Sequence, residues 1–144
     1  MRTLKTVIGL FILMATFTAC DKDEGPEIDA DASIVGYWQA TKEIKIEFEN
    51  GKKVDESTDN SPDFIIELRS DNRVYQDGEL TGTYQISSDK KKITLNNEDG
   101  TTVFDIKQLS KSALVLYTEY KEQDPEEGDT YQENYEVYFK RIEK

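Results

Sequence analysis

In KEIKIEFE, residues 42–49, Ile44, Ile46 and Phe48 alternate with Lys45 and Glu47, and this period of two returns in run after run down the chain. Phe64, Ile66 and Leu68 follow it, then Tyr84 and Ile86, Ile93 and Leu95, Phe104 and Ile106, Leu114 and Leu116, and finally Tyr135, Val137 and Phe139. Successive side chains of an extended backbone point to opposite faces, so a period of two specifies half-buried strands, and no stretch sustains the spacing of a helix. Turn formers separate the runs: ENGK at 49–52, RSDNR at 69–73, QDGE at 76–79, SSDKK at 87–91, NNEDGT at 96–101 and QDPEEGD at 123–129. Asn-Gly and Asp-Gly accept the positive φ of tight hairpins, so most successive strands are joined antiparallel by short connections. The expected fold is all-β, an antiparallel up-and-down meander of about eight strands. Such a sheet loses its exposed edges by closing into a β-barrel. An eight-stranded barrel has room either to be filled by side chains or to hold one small ligand, and the pattern leaves both open.

The chain opens differently. Arg2 and Lys5 precede TVIGLFILMATF, residues 6–17, which is closed by Thr18, Ala19 and Cys20, the one cysteine present. A basic start, a short apolar run and small residues are the anatomy of a secretory signal peptide, and the run is shorter than the about 20 residues a membrane span requires. FTAC, residues 17–20, resembles the lipobox of bacterial lipoproteins, although Phe17 stands where that motif prefers Leu. The resemblance implies a signal peptide over 1–19, cleavage before Cys20, and acyl chains on Cys20 that make the membrane a partner. A lone cysteine forms no internal disulfide, and a free thiol is a liability in an oxidising compartment. DKDE, residues 21–24, resembles the surface-export signal of Bacteroidetes-type lipoproteins. It implies an outer-membrane protein displayed at the cell surface, with a periplasm-facing orientation as the alternative. Residues 21–33 offer charge, Pro, Gly and Ala and almost nothing to bury, which reads as a flexible linker. The expected organisation is a signal peptide at 1–19, a lipidated cysteine and acidic linker at 20–33, and one domain at 34–144.

Charge and absent residue types narrow the function. Eighteen Lys and Arg face 30 Asp and Glu, and loss of two cations with the signal peptide leaves 16 − 30 = −14. That sign repels nucleic acid and anionic headgroups, so no nucleic-acid partner is expected. The chain has no histidine. With Cys20 acylated, neither Ser-His nor Cys-His nucleophiles nor the usual zinc and copper sites can be built. The acidic loops miss the calcium-loop spacing: in residues 96–107 the twelfth place is Lys107 where a glutamate is needed. No metal, no cofactor and no enzymatic activity are expected.

The first strand carries a second resemblance. Gly36-Tyr37-Trp38 in IVGYWQATKEIKI matches the G-x-W that begins lipocalins, and TGTYQIS, KKITL and DGTTVFDIKQLSKSALVL resemble the lipocalin-like domain found among Bacteroidetes-type lipoproteins. The resemblance implies a lipocalin-like β-barrel over Ile34 to Glu143 in which Gly36 and Trp38 close one end. It further implies a basic residue near the last strand lying across that Trp, here Arg141. The cysteine pair of the large secreted lipocalins is missing, and so is the helix before their last strand. Two function classes stay in view: a binding module for a small apolar or amphipathic ligand, with Tyr84, Leu116 and Tyr135 as candidate lining, and a filled barrel whose surface contacts another envelope protein or a glycan. Tyr117, Tyr120, Tyr131, Tyr135 and Tyr138 cluster late in the chain, which leads us to expect a tyrosine-rich patch on two neighbouring strands.

Overall fold

The computed structural model describes residues 25–144, so the expected signal peptide at 1–19, Cys20 and residues 21–24 lie outside the described residues. The elements are β1 (Glu27–Ile28), β2 (Gly36–Glu49), β3 (Lys52–Asp59), β4 (Ile65–Leu68), β5 (Arg73–Gln76), β6 (Glu79–Ile86), β7 (Lys92–Asn97), β8 (Gly100–Leu109), β9 (Ala113–Gln123) and β10 (Thr130–Ile142). Antiparallel pairing runs from β2 through β4, β5, β6, β7, β8, β9 and β10 and returns to β2, a closed eight-stranded barrel. The hairpins use the expected chemistry. Asn50-Gly51 joins β2 to β3 with φ of 50° and 74°, and Asp77-Gly78 joins β5 to β6 with 51° and 89°. Both residues of each pair are left-handed, as a two-residue turn matched to strand twist requires.

The barrel wall is uneven. β3 and β4 act as one strand broken at residues 60–64, with β3 on the outer half of β2 and β4 on the inner half. Pro62 stands in the break, where it is spared the ladder bond it cannot donate. β4 and β5 have four residues each, whereas β2, β9 and β10 have 14, 11 and 13. At about 3.3 Å per residue, one side rises roughly 13 Å and the other more than 35 Å. The tall side extends past the rim as a sheet ordered β3–β2–β10–β9.

One extra residue decides what that sheet presents. Phe139 pairs with Ala40 and Tyr138 with Lys42, leaving Thr41 without a partner as a β-bulge. Before the bulge Trp38 and Ala40 face inward. Beyond it Glu43 shares the inner face with Val137, Lys45 with Tyr135, and Glu47 with Glu133. The period of two persists but its phase reverses, so Ile44, Ile46 and Phe48 stand half-buried on the outside of the sheet and are absent from the barrel core.

The core fills the lower barrel with Trp38, Leu68, Ile93, Ile106, Leu109 and Leu114, each less than 2% exposed, together with Val74, Tyr84, Leu116, Val137 and Phe139. Phe64 meets Phe139 edge to face at 5.9 Å. Trp38 plugs the closed end, its indole N–H donating to the Ile34 carbonyl at 2.7 Å. Arg141 is its cross-strand partner, and the guanidinium lies 4.1 Å from the ring centroid. The same guanidinium donates to the carbonyls of Lys111 and Val35, both at 2.8 Å, and to that of Ser33. Gly36, at φ 146°, lies so close that an added Cβ would strike the Arg141 guanidinium.

The linker reading of residues 20–33 does not hold for residues 27–33. β1 adds in parallel to β8, the Asp29 N–H donates to the Leu109 carbonyl at 2.9 Å, and Ala32 and Ile34 are each 4% exposed. Lys90 donates to the carbonyls of Ala30 and Ala32. Backbone groups, which composition does not display, tie this strap across the closed end. Trp38→Ala should lower stability by about 3–5 kcal/mol, the cost of emptying a fully buried aromatic site. Gly36→Ala should cost roughly 1–3 kcal/mol through backbone strain and displacement of Arg141. Urea titration followed by far-UV circular dichroism checks both, since the first variant removes the only tryptophan.

Candidate functional site: the barrel mouth

The end opposite Trp38 is open. There the low wall and the turns β5–β6 and β7–β8 frame a pocket of about 510 Å³. Its floor is Ile66, Leu68, Val74, Ile93, Leu95 and Leu116; its rim is Gln76, Glu79, Thr81, Thr83, Asn96, Asn97, Glu98 and Asp99. An apolar floor under a polar rim follows from the inner face of each strand running out of buried positions as the strand passes the rim. Gly82 allows the narrowing on this side: its backbone lies so close to the Asn96 carbonyl that any side chain would collide with it.

On the tall side the inner face continues upward from Leu116 and Val137 into polar residues. Tyr135, packed against the core at its base, donates its hydroxyl to Glu43. Lys45 bridges Glu47 and Glu133, both at 2.8 Å. The Tyr131 hydroxyl donates to Glu133 at 3.2 Å and that of Tyr120 to Glu122 at 3.0 Å. Burial, reinforced by the Glu43 carboxylate, pushes the Tyr135 phenol well above the usual tyrosine range, and Tyr131 moves upward for the same two kinds of reason. The Lys45 ammonium holds the Glu47 carboxyl below the usual range. Both phenols are therefore neutral donors and Glu47 is charged at neutral pH.

Of the residues singled out from the sequence, Leu116 lies in the pocket floor and Tyr135 stands just above it on the tall wall. Tyr84 is not with them. Its ring is 3% exposed inside the barrel, and its hydroxyl donates to the Arg69 carbonyl at 2.8 Å near the closed end. A larger but shallower groove of about 770 Å³ lies there beside the strap, lined in part by Ser33, Ser70, Asn72, Tyr84 and Lys90. Its one ammonium, Lys90, is already committed to strap carbonyls. The late tyrosines divide between two faces: Tyr120, Tyr131 and Tyr135 inward, Tyr117 and Tyr138 outward. The acidic and hydroxyl side of the mouth was hidden in the sequence, because Glu43, Lys45 and Glu47 read as an outer face until the Thr41 bulge is known.

Comparison with known proteins returns one family: a model described as a lipocalin-like domain matches residues 34–116. No curated protein and no solved structure matches the chain.

The tyrosines fix an alkaline limit. Phenol ionisation is raised in the folded state at Tyr84 by burial, at Tyr135 by burial and Glu43, and at Tyr138, to about 12, by the bond to Glu136. A raised folded value contributes stability that is fully present below the unfolded value of about 10 and is lost as pH rises through the folded one. The urea midpoint should therefore fall progressively above about pH 10. The fall should be smaller in Tyr135→Phe, and an identical fall in that variant would overturn the assignment.

Proposed function

The chain belongs to the lipocalin-like domain family, and from that membership we propose that it is a lipid-anchored envelope protein that binds a small amphipathic ligand in the mouth of its barrel. One observation carries the reading. The core fills only the lower barrel, and above it lies a pocket with six apolar floor residues, within the about 300–1,000 Å³ common for small-ligand sites. Floor and rim together suit a molecule with an apolar body and a polar head. Transport or sequestration is the activity such a site supports.

The anchor rests on the lipobox resemblance, and the strap bears on orientation. From Cys20 to Glu27 the chain spans at most about 24 Å. Because β1 docks beside the β8–β9 turn, acyl chains on Cys20 would hold the closed end toward the bilayer and turn the mouth away from it. With two or three acyl chains the attachment is long-lived. The acidic residues 21–24 support display at the cell surface. A surface-contact role draws support from a different observation: Ile44, Ile46 and Phe48 form an outward apolar stripe beside β3, which is exposed along its whole length.

A native mass spectrum of residues 26–144 purified from native-like cell extract should show a retained small molecule. Leu95→Trp, which fills the pocket floor, should remove it while the far-UV spectrum stays unchanged. A clean apo mass in both, repeated after incubation with envelope lipids, would favour the surface-contact role. Alkyne fatty acid should label the full chain in cells and fail to label Cys20→Ala; equal labelling would sink the anchor.

A further inference from the structure

The pocket rim carries one sign of charge. Glu79, Glu98 and Asp99 stand on the pocket rim, and no Lys or Arg is among the residues lining it. Across from them the tall wall adds Glu43 and Glu133; its Lys45 ammonium is engaged by Glu133 and Glu47, and its second lysine on this face, Lys52, stands at the far tip beside Glu49, away from the pocket lining. We propose that the amphiphile taken by this site has a cationic head, an ammonium or amine, over an apolar tail seated on Leu95 and Leu116. The inference rests on the reading of the mouth as the ligand site and adds the chemistry of the head.

Three physical arguments support the sign. A cleft lined by carboxylates with low-dielectric walls focuses negative potential at its entrance and raises the local concentration of cations. An anionic head, such as a fatty-acid carboxylate, would meet like charges on both sides of the pocket, with no cation among the residues that line it. The inward tyrosines of the tall wall offer ring faces and neutral hydroxyls above the floor, and an ammonium is attracted to aromatic faces where a carboxylate is not. Tail and head are thereby sorted vertically: the tail enters where the strands are buried, and the head remains at the rim where the inner faces turn acidic.

The test uses residues 25–144, which contain every strand of the closed barrel, and three probes with the same twelve-carbon tail below their micelle concentrations. These are dodecyltrimethylammonium, dodecanoate and dodecyl maltoside, measured by titration calorimetry at low salt and at about 0.5 M salt. Dodecyltrimethylammonium should bind about tenfold or more tightly than dodecanoate at low salt, and the gap should narrow at high salt. The rim variant E79Q/E98Q/D99N should lose most of that preference while binding dodecyl maltoside as before. D29N/D31N/E143Q, which removes three charges at the closed end, should retain the preference and so separates the mouth from the charge of the whole domain. Equal binding of the two charged probes, or an unchanged preference in the rim variant, overturns the cationic head and leaves the apolar site standing. Failure of all three probes overturns the carrier reading, and this inference with it.

Discussion

The pairing of the first long strand with the last governs the rest of the structure. β2 and β10 run together from Tyr37↔Ile142 to Glu49↔Tyr131, so the ends of the meander meet and the sheet has no free edge around the barrel. That pairing also places Trp38 opposite Arg141. One guanidinium can then cover the indole and donate to the stray carbonyls of the strap and of the β8–β9 turn. The closed end is thus built by residues more than 100 positions apart in the chain, brought to one point by strand register. Among the described residues no buried side-chain polar atom lacks a partner, which is what a sealed end in a small core demands.

The Thr41 bulge gives the same two strands a second task. Below it their inner faces supply Trp38, Ala40 and Phe139 to the core; above it, past Val137 at the top of the core, they supply Glu43, Lys45, Glu47, Tyr135 and Glu133 to the mouth. Without the extra residue Ile44, Ile46 and Phe48 would continue the apolar lining upward. A bulge therefore converts a continuous greasy tube into a short apolar well under a charged, hydroxyl-lined wall. The low wall follows from the four-residue β4 and β5, which leave the well accessible from one side.

Much of the barrel was legible in advance, and the reasons are local. Asn50-Gly51 and Asp77-Gly78 announce their hairpins because few dipeptides tolerate two left-handed residues. Leu114, Leu116, Val137 and Phe139 announce their inner faces because alternation is a property of each strand alone. Arg141 falls on the face of Tyr135, Val137 and Phe139 by counting in twos, which is why its place over Trp38 could be anticipated from the family resemblance. The strap at residues 27–33 was hidden: its attachment is made by main-chain bonds to Leu109 and by the Lys90 ammonium, and composition carries no trace of either. Tyr84 was misplaced for a related reason. Inward direction could be counted, but depth along the barrel axis depends on the stagger of neighbouring strands.

The sequence by itself determined the all-β class, most of the long strands and their turns, the antiparallel order of the barrel and the strongly acidic charge, because each of these is set by neighbours along the chain or by sums over it. The tertiary structure decided which apolar stripe faces inward, where the wall is low, and that carboxylates and neutral phenols meet over an apolar floor. Those outcomes hang on register. A single unpaired residue at Thr41 reverses the facing of every residue beyond it on β2, and that lone residue is recognisable only against the partner strand that lacks it.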